Sequence, residues 1–128
     1  MRFMMLLPAP AQALEQCAVP SAEIVTTMRK FNEDMTKAGV LLAAEGLHPS
    51  SKGTRIRVSG GKRTVTDGPF TEAKELIAGF WIVQVKSKEE AIEWAKRCPL
   101  PEGGLIEIRQ VFENCDFPPD LQKKVAQA

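Results

Sequence analysis

Residues 2–7 are apolar on both alternations of the chain, the pattern of a central strand covered on both faces, and Pro8, Ala9 and Pro10 are expected to end it. After a loop through Cys17 and Pro20, Ser21 can cap a helix whose apolar positions Ile24, Met28, Phe31, Met35 and Ala38 recur at alternating steps of four and three, until Gly39 stops it. Residues 40–47 are strand-like, and Gly46, Pro49, Ser50, Ser51 and Gly53 then break the chain. Residues 54–59 and 62–67 flank Gly60-Gly61, the two-residue connection that primed hairpin turns require, and predict a β-hairpin.

Asp67-Gly68-Pro69-Phe70 is a turn, and residues 71–77 are expected to form a short helical piece before Gly79. Residues 80–85 form a hydrophobic strand. Ser87 and Glu90 make a capping box, and Ala91, Ile92, Ala95 and Cys98 share one helical face up to Pro99. Residues 105–112 supply the last strand, and residues 120–127 form a short helix outside the main fold after Pro118-Pro119. The order strand, helix, strand, hairpin, strand, helix, strand describes two split βαβ units with right-handed crossovers. It predicts a ferredoxin-like α+β sheet with an inserted β-hairpin and both helices on one face. Phe3-Met4-Met5-Leu6 and Phe80-Trp81-Ile82-Val83 are apolar on both alternations, yet two helices bury only one side. A second subunit's sheet is the simplest cover, which predicts a homodimer with facing sheets. In the competing arrangement the C-terminal segment folds back over its own sheet.

Composition narrows this picture. At 128 residues the chain fits one domain, and 44% hydrophobic with 26% charged residues disfavours disorder, collagen-like repeats and a coiled coil. Lys and Arg number 17 against 16 Asp and Glu, a net charge of +1 that offers no electrostatic case for nucleic acid or a membrane surface. Cys17, Cys98 and Cys115 are an odd count in a chain large enough to build a core, so a disulfide framework is not expected and a cytoplasmic location fits. Residues 1–13 resemble an export signal ending in Ala-Gln-Ala, but the apolar run 3–7 is shorter than the roughly 7 to 15 residues of such a signal, so it reads as a strand.

Chemistry is thinly marked. His48 is the single histidine, which excludes a two-histidine zinc site and offers one imidazole for proton transfer against the plainer role of a surface loop residue. Glu45, three residues before it, points the opposite way on a regular strand. Asp67 could act as a general base, or could satisfy the amides of its own turn; Lys74 could hold an anionic substrate; Glu72 and Glu75 belong to a solvated charged run. Phe70 either anchors the turn to the core or lines a pocket. On the last strand Glu107 and Arg109 alternate with Ile106 and Ile108, so if the isoleucines face the helices the charged pair faces the subunit interface, as does Gln84. Cys98 reads as packing, and Cys17 and Cys115 have no basic neighbour to activate them. There is no Walker loop, dinucleotide glycine fingerprint or serine elbow.

The stretch 65–80, with Asp67-Gly68-Pro69-Phe70-Thr71-Glu72-Ala73-Lys74-Glu75 at its centre, closely resembles the DGPF-type branch of the YCII-related proteins, and the likeness extends over residues 1–112, leaving 113–128 as a C-terminal extension. The resemblance implies a ferredoxin-like dimeric α+β barrel. It also implies a setting among proteins proposed to use a His-Asp pair, with dehydrochlorinases and lactone isomerases acting on small cyclic acids among relatives or fold neighbours. Met28 stands where the helical histidine of that pair would be, so the pair does not carry over. Relatives are often encoded beside extracytoplasmic-function sigma factors, which implies a regulatory setting. The expectation is therefore a homodimer binding a small, anionic organic molecule. It would have no cofactor and no metal; Asp67 or His48 would move a proton, and Phe70, Glu72, Lys74 and Arg109 would contact the ligand. The alternative is a non-catalytic sensing module associated with a sigma factor.

Overall fold

The computed structural model describes residues 1–11 and 20–126; the expected loop through Cys17 lies outside them. The elements are β1 (Arg2–Pro10), α1 (Ala22–Lys37), β2 (Leu41–Gly46), a 3-10 turn (Ser50–Lys52), β3 (Thr54–Ser59), β4 (Lys62–Asp67), β5 (Glu75–Gln84), α2 (Lys88–Lys96), β6 (Glu107–Gln110), a second 3-10 turn (Asn114–Asp116) and α3 (Pro119–Ala126). Four strands form one sheet in the order β2-β5-β1-β6, and β3 and β4 form a separate two-stranded ribbon. Every adjacent pair in the larger sheet is antiparallel. β1 and β2 therefore run parallel with β5 between them, and β5 and β6 run parallel with β1 between them. Those are the two split βαβ units read from the sequence, and the α+β architecture is compatible with the ferredoxin-like expectation.

Both serines cap their helices as read, but the capping box expected at Ser87 and Glu90 closes only on the serine's side. Ser21 is extended and its side chain accepts from the Ile24 amide at 3.3 Å, opening α1. Ser87 accepts from the Glu90 amide at 3.2 Å, while the Glu90 carboxylate reaches back to the Lys86 amide at 2.9 Å, one residue before the cap. α1 leaves Ile24 52% exposed near its start and seats Met28, Phe31 and Met35 against the core. These side chains meet Phe3, Met5, Trp81 and Val83 from the sheet, with Val40, Val85, Ala91 and Cys98 completing the core. Phe31 meets Trp81 edge to face at 5.7 Å, and the Trp81 indole N–H donates to Asn32 Oδ1 at 2.8 Å, so the large ring is buried without orphaning its donor.

Three further sequence expectations change. The prolines do not end β1, which continues past a register shift at Leu7/Pro8 until Pro10 faces Glu75. β6 pairs with β1 only over Phe3 to Leu6, so beyond Leu6 the strand has a ladder on one side, where a missing proline N–H is tolerated. Residues 71–77 are not helical: the Ala73 amide closes a turn on the Phe70 carbonyl at 3.1 Å, and β5 begins at Glu75 rather than at residue 80. A seven-residue helix is marginal by itself, whereas pairing with the extended end of β1 satisfies the same backbone groups. The last strand is shorter than residues 105–112, because β6 is an edge ladder as long as its contact with β1. Beyond it the chain is tied to the sheet by Arg2, whose guanidinium forks onto Glu113 at 2.7 and 3.3 Å, and α3 rests on the preceding turn.

Candidate functional site

The side of the sheet away from α1 and α2 is built in rows. One row runs Glu45, Phe80, Leu6, Glu107 across β2, β5, β1 and β6; the next runs Ala43, Ile82, Met4, Arg109; Gln84 and Arg2 pair in the row beyond. Strand alternation produces this, since Phe3, Met5, Trp81 and Val83 go to the helices and their neighbours in sequence go to the other face. The result is an apolar centre, half-buried at Met4, Leu6, Phe80 and Ile82, with exposed charge at both edges. Arg109 Nε lies 4.0 Å from Glu107 Oε2 and its side chain is 73% exposed, leaving most of its donors unused by that contact. Ile106 and Ile108 pack against the core, so Glu107, Arg109 and Gln84 occupy the face that alternation assigned them.

A second polar cluster surrounds the turn that follows β4. The six residues on either side of the Gly60-Gly61 turn pair without a slip, which sets Thr54 opposite Asp67. The Thr54 hydroxyl donates to Asp67 Oδ1 at 3.0 Å. The Gly68 amide donates to the Gly53 carbonyl at 2.9 Å, the Gly68–Pro69 peptide bond is cis, and the Phe70 amide donates to Ser50 Oγ at 3.0 Å. A side chain at Gly68 would place its Cβ within 1.8 Å of the Ser50 carbonyl oxygen, so two backbones meet there with room only for hydrogen. Phe70 is 8% exposed, the Arg55 guanidinium stacks on its ring at 3.9 Å, and the same guanidinium reaches Glu72 Oε1 at 2.6 Å. A hydrogen bond from its own backbone amide, then the Arg55 contact, hold the Glu72 carboxyl below its ordinary range.

The two clusters account for the residues singled out in the sequence unevenly. His48 is exposed just past the end of β2, two residues before Ser50, and among the described residues makes no contact that joins it to Asp67 in a dyad. Lys74 is exposed, and its carbonyl accepts from the Ala11 amide at 3.1 Å. Lys74 precedes the β5 end that faces Pro10, whereas Arg109 faces Met4; six residues of β1 separate the two positions, about 20 Å at strand rise. One chain therefore does not bring Lys74 and Arg109 onto one small carboxylate. Phe70 anchors its turn, and Glu72 is engaged by Arg55. Sequence reasoning missed Thr54, Arg55 and Ser50. Thr54 was recoverable, because counting outward from Gly60-Gly61 sets it against Asp67; Arg55 and Ser50 meet the turn through tertiary contacts with no local signal. Among the described residues no three His, Cys, Asp or Glu side chains gather into a metal-binding group.

With this geometry in hand the chain can be set beside known proteins. It is 33% identical over 89 residues to a functionally uncharacterized protein of Rhizobium meliloti (strain 1021), a match covering 68% of either chain. A family model described as the YCII-related domain matches residues 1–114, which takes in the whole four-stranded sheet, the hairpin and the turn after it. The chain belongs to the YCII-related domain family.

Proposed function

We propose that this protein, a YCII-related chain of the DGPF type, is a cytoplasmic homodimer that binds a small anionic organic molecule between two sheets, on the faces turned away from α1 and α2. One observation carries the reading: the apolar centre formed by Met4, Leu6, Phe80 and Ile82 is bracketed by Glu45 on one edge and Glu107 with Arg109 on the other. An apolar floor with a few charged groups at its rim is the composition of small-molecule sites, and an apolar sheet face of this kind marks an interaction surface. Arg109 holds the ligand's carboxylate or enolate, since its guanidinium is fixed at one side only. Arg109 and the turn region holding Asp67 and His48 lie toward opposite ends of one sheet, so the Asp67 or His48 that supplies proton transfer without a cofactor, as an isomerase or lyase would need, comes from the second copy of the dimer.

Native mass spectrometry of the purified protein tests the reading directly. A dimer carrying a bound small molecule, with the bound mass lost in Arg109→Ala, is the expected outcome; a monomer at all concentrations sinks it. Asp67→Asn and His48→Gln then separate catalysis from binding, because a catalytic role lowers turnover while the dimer persists. A second reading, a ligand-sensing module working with a sigma factor and without turnover, is favoured by one feature. Thr54 engages Asp67, and Arg55 engages both the Phe70 ring and Glu72, which suits a structural turn. That reading expects ligand binding unchanged in Asp67→Asn.

A further inference from the structure

The hairpin β3–β4 is exposed at every residue of both strands. Its two faces differ. Alternation sets Thr54, Ile56 and Val58 with their cross-strand partners Asp67, Val65 and Arg63 on one face, and Arg55, Arg57 and Ser59 with Thr66, Thr64 and Lys62 on the other. Ile56, Val58 and Val65 are 66%, 60% and 65% exposed. A two-stranded ribbon is marginal in water alone, and three aliphatic side chains on one face are surface it gains by covering.

Charge identifies the cover. Residues 50–66 hold Lys52, Arg55, Arg57, Lys62 and Arg63 and no acid, so with the whole chain at +1 the remainder stands at −4. The acids Glu113, Asp116 and Asp120 fall within residues 111–122, which contain no base and expose Phe112 at 71% and Leu121 at 39%. Within one chain both surfaces stay exposed and start from opposite ends of the sheet. The hairpin leaves the sheet at the Gly46/Glu75 end, whereas Glu113 is clamped to Arg2 at the other end of β1, about 25 Å away along the strand. A second copy related by a two-fold axis running across the strands brings each hairpin to the opposite end of its partner, twice per dimer.

We propose that the hairpin is a dimer arm, its Ile56, Val58 and Val65 face seated on the partner's acidic and apolar 111–122 segment. The proposal rests on the homodimer reading above and extends it, since the arm adds contacts outside the facing sheets. An isologous hairpin-on-hairpin contact would bring Arg63 and its neighbours against the same positive set and is disfavoured.

Zero-length carbodiimide cross-linking of an equal mixture of light and nitrogen-15-labelled full-length protein, co-refolded and digested, tests the arm. Cross-links joining Lys52 or Lys62 to Glu113, Asp116 or Asp120 in mixed-isotope pairs are expected. Sedimentation velocity adds that Ile56→Asp, and separately Arg63→Glu, weaken the dimer by about tenfold or more with the far-ultraviolet spectrum unchanged. Phe80→Asp, on the sheet face, is the comparison variant. If it dissociates the dimer while both hairpin variants leave it intact and no mixed-isotope cross-link forms, the arm is wrong and the sheet-face reading stands. A wild-type monomer overturns both. Mixed-isotope cross-links from hairpin lysines only to Asp67, the hairpin's one acid, would also overturn the assigned docking surface.

Discussion

The two sheets of this protein have the same backbone chemistry and opposite fates. β1 and β5 pair over nine positions, β3 and β4 over six without a slip; yet the first pair buries Phe3, Met5, Trp81 and Val83, and the second buries nothing. Hydrogen-bonded register alone therefore does not make a core. The larger sheet is held by a layer of helix against one face, while the ribbon is held by its turn and by the lock that Gly68, Phe70 and Arg55 form at its base.

Substitutions on the two sides of this contrast should separate cleanly. Phe3→Ala removes a side chain 2% exposed in the centre of the helix-covered face, and a loss of about 3–5 kcal/mol in urea denaturation is expected; a loss near that of a surface site would mean the core lies elsewhere. Gly68→Ala forces a Cβ into the Ser50 carbonyl, so the two backbones must part, and about 1–3 kcal/mol is expected, with amide exchange rising first in the hairpin and little in β1. Uniform exchange across both sheets would show that the lock supports the whole fold. Asn32→Leu leaves the Trp81 indole N–H without its acceptor and should cost about 1–3 kcal/mol, readable as a shift in tryptophan emission together with a lower melting temperature.

Smaller effects come from titration. Burial pushes the Cys98 thiol up to about 11, so this group contributes stability that is fully present below its ordinary value near 9 and is lost as pH rises through the folded value. At neutral pH Cys98 should resist alkylation while the exposed Cys115 reacts, as mass spectrometry of tryptic peptides would report. The carboxyls of Glu72 and Glu113 are held low, Glu113 first by its hydrogen bond from Arg2. Their contribution is present above the ordinary carboxylate range and disappears as pH falls through the folded values. Glu113→Gln should therefore flatten slightly the acid limb of the urea midpoint against pH; an unchanged limb would show that the Arg2 fork adds nothing.

Local signals carried the ribbon and the helix starts. Gly60-Gly61, at φ of 57° and 77°, needs no neighbour to make its turn, and its register already sets Thr54 against Asp67. The helix caps at Ser21 and Ser87 are likewise written within four residues of chain. The order of elements sufficed for the α+β class and the two split units, because crossover handedness and antiparallel neighbours leave few topologies open. Alternation alone assigned Glu107 and Arg109 to the face away from the helices, as the structure has them.

Tertiary structure decided what competes across distance. Residues 71–77 had an acceptable helical pattern, and the extended end of β1 won them for β5; Pro8 and Pro10 stayed in a strand because β6 is too short to need their missing donors. Asp67, Phe70 and Glu72 stood as candidate site residues on type and position alone. Ser50, Arg55 and the close approach at Gly68 are what tie that turn together, and those contacts span 13 to 20 residues of sequence. Periodicity and turn chemistry are properties of neighbours in the chain, so the sequence states them outright. Which partner satisfies a side chain depends on the layers that meet over it, and only the folded sheet, with α1 and α2 against one face, determines that.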